Sequence, residues 1–105
     1  MEKPNFSYIS QLSGGDKVFE ERIFRVLKME FPDERESYLN NISNANFNLA
    51  ANNVHKIKHK ISLLGLEKSY ELASEHEINL GEGNAALHHS FNEILTTMTV
   101  FFDKI

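Results

Sequence analysis

The apolar residues recur every three or four positions along most of the chain, which is the period of helices that bury one face. The pattern is most regular near the end, where one stripe contains Leu87, Phe91, Ile94, Met98, Phe101 and Ile105. A second stripe in the middle contains Phe47, Ala50, Val54, Ile57, Ile61 and Leu64. This stripe stops at Gly65, and glycine is the residue that most often follows a helix. Both segments are therefore predicted to be amphipathic helices.

The first half of the chain predicts a long helix that begins after Asp16, a residue type typical of helix N-caps. Its apolar positions are Phe19, Ile23, Val26, Leu27, Tyr38, Leu39 and Ile42. Pro32 lies inside this run and is predicted either to kink the helix or to divide it. A short helix is expected to contain Phe6, Tyr8, Ile9 and Leu12, and a weaker one to start at Leu66 and fade before Gly81. No alternation typical of strands is found, so the predicted fold is all-α: an up-and-down four-helix bundle with a short extra N-terminal helix.

Composition narrows the classes of protein that fit this fold. A chain of 105 residues predicts a single domain over residues 1–105. It contains no cysteine, which excludes disulfides, thiolate metal ligands and a cysteine nucleophile. The net charge of −4 gives no basic field for nucleic acid. No segment has the pattern of a secretory signal or of a membrane span, so we expect a cytoplasmic protein without membrane insertion. Each strong stripe can be buried within one chain, which predicts a monomer.

The candidate chemistry lies in the stretch VHKIKHKISLLGL, residues 54–66. Rotation of about 100° per residue turns His55 about 140° from the core direction, toward solvent. The same side of the helix carries Ala51, Lys58, His59 and Ser62. An exposed imidazole is partly uncharged near neutral pH and can act as a nucleophile, and a lysine one turn away can place its ammonium beside a phosphoryl group. Spacing alone, however, favours an ordinary solvated helix face.

The order of these residues resembles the signature of histidine-containing phosphotransfer domains. In that signature an aliphatic or small residue precedes the histidine, and an aliphatic, a lysine, small residues and a Leu-Gly pair follow it. The residues that match in register are Val54, His55, Ile57, Lys58, Ser62, Leu64 and Gly65. Upstream, SGGDKVFEERIF at residues 13–24 is similar to the family's entry into its second helix, and Asn46 occupies the cap position before the histidine helix. The resemblance covers most of the chain, through about Glu77.

The resemblance implies a phosphorelay intermediate. His55 would accept a phosphoryl group from the aspartyl phosphate of one response-regulator receiver domain, such as that of a hybrid sensor kinase, and pass it to another receiver. Lys58 would stabilise the phosphate, while Ala51, His59 and Ser62 would form the binding surface, with Leu63 as an apolar contact. The chain would need no cofactor, because the divalent metal belongs to the receiver. No nucleotide loop or kinase motif is present, so we expect no phosphorylation from ATP.

Several positions depart from the family's pattern. His59 stands where the family commonly has glycine, and Lys60 and Ile61 are larger than the usual small residues. Ser69 and His76 fall where the next helix usually presents aliphatic residues. His59 would therefore restrict the choice of partner or hydrogen-bond a phosphate on His55.

Two alternatives remain open from the sequence. The first is a non-catalytic helical module that binds a protein partner. The second is a metal-binding bundle, because His55 and His59 are spaced one helical turn apart, as in some metalloenzymes. The segment lacks the glutamate of the HExxH motif, and its lysines would oppose a cation. A third ligand would have to come from His76, His88 or His89, although His88 and His89 are most simply a solvated start to the last helix.

Overall fold

The computed structural model describes residues 2–105 and contains helices and no strand in that range. The helices are α1 (Ser7–Ser13), α2 (Lys17–Ser43), α3 (Phe47–Leu63), α4 (Glu67–Gly81) and α5 (His88–Asp103). Helices α3 and α4 form the most extensive helix pair, α2 packs against α3, and α5 packs against α4 and α2. The short α1 packs against α2. The predicted all-α bundle with a short N-terminal helix is confirmed.

Helix α2 runs without interruption through Pro32, so of the two predicted outcomes, a kink or a division of the helix, the division is wrong. Proline lacks the N–H that would bond to the carbonyl of Lys28, yet one lost bond is small beside the packing of 27 helical residues. The predicted N-cap is confirmed, since the Asp16 carboxylate accepts hydrogen bonds from the amides of Val18 and Phe19. Asn46 also occupies the N-cap position of α3, but its side chain makes no capping hydrogen bond.

The core is one cluster of buried side chains contributed by all five helices. Its largest members are Phe31 and Tyr38 of α2, Ile57 and Ile61 of α3, and Phe91 and Met98 of α5. The buried line of α5 differs from the predicted stripe, because Leu95 and Phe102 are buried while Ile94 and Phe101 pack at its edge. Ile105 lies beyond the end of α5 and is exposed. Phe19 and Val26, predicted as core residues, are also exposed, because the short α1 covers only part of α2.

The first residues of the chain hold the turn between α3 and α4. The Glu2 carboxylate accepts hydrogen bonds from the amides of Lys68 (2.7 Å) and Ser69 (2.9 Å), where the N-cap residue Leu66 supplies no side-chain cap. Burial raises the pKa of Glu2, but these amides and the Ser69 hydroxyl outweigh burial and leave the pKa below its usual value. The Asn5 amide donates to the carbonyl of Leu64 at 2.9 Å. The N-terminal segment thus acts as a distant helix cap.

A buried lysine joins α3 to α2. The Lys60 ammonium donates to Glu30 at 3.0 Å and to Glu34 at 3.1 Å, and its side chain is only 7% exposed. The sequence presented Lys60 merely as a residue larger than the family usually has at this position. Its position between the helices shows that its length lets the charge reach two carboxylates. These ion pairs join α3 to α2.

No helix in residues 2–105 is long and apolar enough to cross a membrane.

Candidate functional site

His55 lies on α3 with 60% of its side chain exposed. Its neighbours Val54 and Ile57, and Ile61 further along, are fully buried, so the opposite face of the helix is fixed in the core. The imidazole therefore projects from a backbone that packing holds in place. This agrees with the direction that helical rotation predicts for His55.

A carboxylate from α4 lies beside this histidine. Glu77 Oε2 is 3.3 Å from His55 Nδ1, and Glu77 Oε1 is 3.1 Å from the Lys58 ammonium. Sequence reasoning missed Glu77, because its role depends on how α4 packs against α3. The only local signal was its place next to the buried His76, at the edge of the face that α4 turns toward the bundle. His55, Lys58 and Glu77 together are called the acceptor triad below.

The acceptor triad is held by charge more than by aligned hydrogen bonds. Glu77 Oε1 is screened from solvent and has no well-aligned hydrogen-bond donor, although the Lys58 ammonium is close. The Lys58 side chain is only 16% exposed and its ammonium lies 5.2 Å from the centre of the Tyr70 ring. The expectation that Lys58 is an exposed charge is therefore wrong: Tyr70 and Glu77 cover it.

The structure places the remaining predicted surface residues around His55. His59 is exposed, and its ring is nearly perpendicular to that of His55, with the ring centres 5.4 Å apart. Ser62 is exposed and Ala51 is half-buried. Leu63 is half-buried against the core, so it is less available than an exposed contact would be. No aligned hydrogen bond or ion pair links His59 to the carboxylate that contacts His55 and Lys58.

A shallow groove runs beside His59 between α2 and α3. It has a volume of about 410 Å³, and its apolar lining comes from Ile23, Val26, Leu27 and Leu63. Arg22, Glu30, His59 and Lys60 complete its walls. The groove explains the exposure of Val26, which faces this opening instead of the core. Exposed apolar area of this kind is a surface that a protein partner can bury.

Two other histidines belong to a buried polar chain. Fully buried His76 Nε2 lies 2.7 Å from the Tyr38 hydroxyl, and that hydroxyl lies 2.8 Å from His88 Nδ1. His76 Nδ1 is buried without a partner. A proton on Nδ1 would be an unpaired buried donor, so the favoured arrangement has His76 Nε2–H donating to Tyr38 and Tyr38 O–H donating to His88. The prediction that His88 is solvated is therefore wrong, whereas the His89 side chain is 88% exposed.

Burial shifts the pKa of each of the three side chains that are hydrogen-bonded here. It lowers the pKa of His76 to about 4, with a further contribution from the charge of His88. Burial lowers the pKa of His88 as well, with the charge of His89 adding to the effect. It raises the pKa of Tyr38 above its usual value. All three groups are therefore neutral at neutral pH, which suits the hydrogen-bond arrangement above.

The same contacts bear on the metal-binding alternative. Both His76 and His88, two of the three candidate third ligands, are bonded to Tyr38. His89 lies on α5 beside Glu93, at 3.3 Å. Across residues 2–105, no group of three histidine, aspartate or glutamate side chains comes together in a geometry that would hold an ion. Within that range the pair His55 and His59 thus has no third protein ligand.

Comparison with known proteins identifies no relative. No model of a known protein family matches the chain, and neither the curated proteins nor the solved structures contain a match.

Proposed function

We propose that the chain is a phosphorelay intermediate in which His55 accepts a phosphoryl group from the aspartyl phosphate of one receiver domain and passes it to another. The observation that carries this proposal is the acceptor triad: an exposed imidazole on a fixed helix, with a carboxylate at Nδ1 and an ammonium one turn away. The resemblance of residues 54–66 to histidine phosphotransfer domains supports the same assignment.

The position of Glu77 supports Nε2 as the reacting nitrogen of His55. Glu77 faces Nδ1, so the proton of a neutral imidazole is best placed there, and Nε2 keeps its lone pair. Nε2 attacks the phosphorus of the aspartyl phosphate, the P–O bond breaks, and the partner's aspartate leaves as a carboxylate. The ring, with Nδ1–H retained, then carries a positive charge. The negative charge of Glu77, 3.3 Å from Nδ1, attracts that positive charge and stabilises both the transition state and the product.

Lys58 has a second role in the same step. In the resting protein its ammonium is 3.1 Å from Glu77 Oε1 without being locked in an aligned hydrogen bond. A phosphoryl group on His55 brings anionic oxygens to this side of the helix, and the ammonium can turn to them. The divalent metal that phosphoryl transfer requires belongs to the receiver in this mechanism. The chain itself contributes the nucleophile and two charges.

The experiment is transfer of radiolabelled phosphate from phosphorylated receiver domains to the purified chain. Wild type should acquire an acid-labile, base-stable label, which is the behaviour of phosphohistidine. His55→Gln should lose the label and keep its helical circular dichroism. His89→Gln is the matched control, because His89 is also exposed and also beside a carboxylate but has no lysine partner. Full labelling of His55→Gln, or label mapped to His59 by mass spectrometry at alkaline pH, would overturn the assignment.

The binding-module alternative shares the groove between α2 and α3. It predicts that a receiver binds the chain while no label is transferred, and that His55→Gln binds as tightly as wild type. Transfer and binding measured on the same receiver therefore separate the two functions.

A further inference from the structure

A second cavity lies on the other side of α2 from the groove. It has a volume of about 490 Å³ and is lined only by residues of α2 and α5, so it shares no residue with the acceptor triad. Its apolar walls are Phe31, Pro32, Leu39 and Phe102. This size and lining are typical of sites for small organic molecules. We call it the α2–α5 cavity.

Arg35 gives this cavity an unsatisfied positive charge. Its Nη1 donates to the Thr99 hydroxyl at 2.6 Å, and that hydroxyl donates in turn to the carbonyl of Leu95 at 2.8 Å, which fixes its lone pairs toward the guanidinium. The Nε–H of Arg35 is screened from solvent and has no acceptor. No carboxylate in residues 2–105 lies within ion-pair distance of Arg35, although most of the other half-buried charges are paired. A buried donor without an acceptor lowers stability, so the rest of the chain does not fully satisfy Arg35.

Two further features define the chemistry of a ligand. Lys28 lies two turns before Arg35 on the same face of α2 and adds a second cation at the rim, where its ammonium donates to the Ile105 main-chain oxygen at 2.6 Å. Glu36 and Asp103 also line the cavity, and their charges oppose a dianion. The cavity thus favours one negative charge over two. A planar carboxylate matches the fork of a guanidinium.

We propose that the α2–α5 cavity binds a small monocarboxylate with an apolar body, its carboxylate on Arg35 and its body against Phe31, Leu39 and Phe102. The carboxylate offers acceptors to the guanidinium of Arg35, whose hydrogen bond goes to the Thr99 hydroxyl and not to a charge, and the hydrocarbon fills the space between α2 and α5 beside these apolar side chains. This proposal is independent of phosphotransfer, because it uses no residue of the acceptor triad.

The test is a titration of the full chain, labelled with ¹⁵N, with octanoate, octanol and octyl phosphate at concentrations below those at which they form micelles. Octanoate should shift the amides of residues 28–40 and 99–103 and should bind about tenfold more tightly than octanol, which corresponds to about 1.4 kcal/mol. Octyl phosphate should bind more weakly than octanoate above pH 7, where it is a dianion. Equal affinity for octanoate and octanol, or shifts centred on other helices, would overturn the proposal.

Substitutions of Arg35 test whether its charge binds the carboxylate. Arg35→Gln should lower the affinity for octanoate to that for octanol, and Arg35→Lys, which keeps the charge but loses the fork, should fall between. Arg25→Gln is the matched control, because Arg25 is an exposed arginine of α2 outside the cavity. Octanoate binding that is unchanged in Arg35→Gln would refute the role of Arg35. If that variant fails to fold, the comparison of octanoate with octanol on wild type still decides the question.

Discussion

Replacement of Glu77 by glutamine tests the central claim that a carboxylate stabilises the positive charge that develops on the His55 ring. Two unit charges 3.3 Å apart interact by about 1 kcal/mol in bulk water and by about 5 kcal/mol at an effective dielectric constant of 20. His55 is 60% exposed, so the value near that of water applies, and we take about 1.5 kcal/mol. Because each 1.36 kcal/mol changes a rate tenfold, Glu77→Gln should slow phosphoryl transfer to His55 about tenfold.

The assay is rapid-quench transfer from a phosphorylated receiver, at saturating receiver concentration, so that chemistry and not docking is measured. Glutamine also releases Lys58 from its ion pair, which would partly offset the loss. The substitution is therefore repeated in a Lys58→Met background, where the slowing should remain. Glu75→Gln is the control, since Glu75 is an exposed carboxylate of α4 outside the triad. A rate for Glu77→Gln equal to that of wild type in both backgrounds would refute the charge argument.

Substitutions at four other positions extend the account. Lys58→Ala should slow transfer several-fold to tenfold, with Lys58→Arg between it and wild type, and wild-type kinetics for the alanine variant would remove Lys58 from the mechanism. His59→Gly should keep His55 phosphorylated and widen the set of receivers accepted, as measured by transfer assays across several receivers. The free energy of unfolding in urea should fall as the pH drops from about 6.5 to 4, and His76→Leu should flatten that slope. Glu2→Gln should cost about 1 kcal/mol of stability at pH 7, measured by the same denaturation.

Linkage gives the direction in which His76 and Glu2 each change the stability of the fold with pH. The pKa of His76 is about 4 in the folded chain and 6.5 without burial, so the unfolded chain binds more protons between these values. The shift corresponds to about 3 kcal/mol, fully present above pH 6.5 and lost as the pH falls toward 4. Glu2 has a lowered pKa in the folded chain, so its contribution is present above its unfolded pKa and is lost as the pH falls through the folded value. An unfolding free energy that rises on acidification would contradict both assignments.

How far the sequence predicted this structure depends on whether a feature lies within one helix. The exposure of His55, and the side of the helix that carries Lys58, follow from the rotation per residue and needed no partner helix. The role of Glu77 could not be predicted from the sequence, because Glu77 contacts His55 only through the packing of α4 on α3. His88 was misjudged for the same reason, since its burial depends on where α5 begins relative to Tyr38 on α2.

The errors in the predicted core also arise from packing between helices. Val26 and Phe19 have the spacing of buried residues, but no helix covers them, so the periodicity of α2 marks a wider apolar face than the bundle uses. The predicted apolar stripe of α5 and the buried line in the structure share Phe91 and Met98. The periodicity of the sequence therefore does not distinguish the two. Lys60 could not be recognised as buried, because only the spacing between α2 and α3 shows that Glu30 and Glu34 can reach it.

The extensive packing of α3 against α4 has a consequence for how the site survives motion. All three residues of the acceptor triad lie on this one helical hairpin, joined by the short turn at Gly65. Contacts within a helical hairpin are close in sequence, so forming them costs little chain entropy. Fraying of the short α1, whose buried residue is Ile9, therefore leaves His55, Lys58 and Glu77 in register. In amide hydrogen exchange the hairpin should be more protected than α1, so the three side chains of the triad stay together while α1 opens.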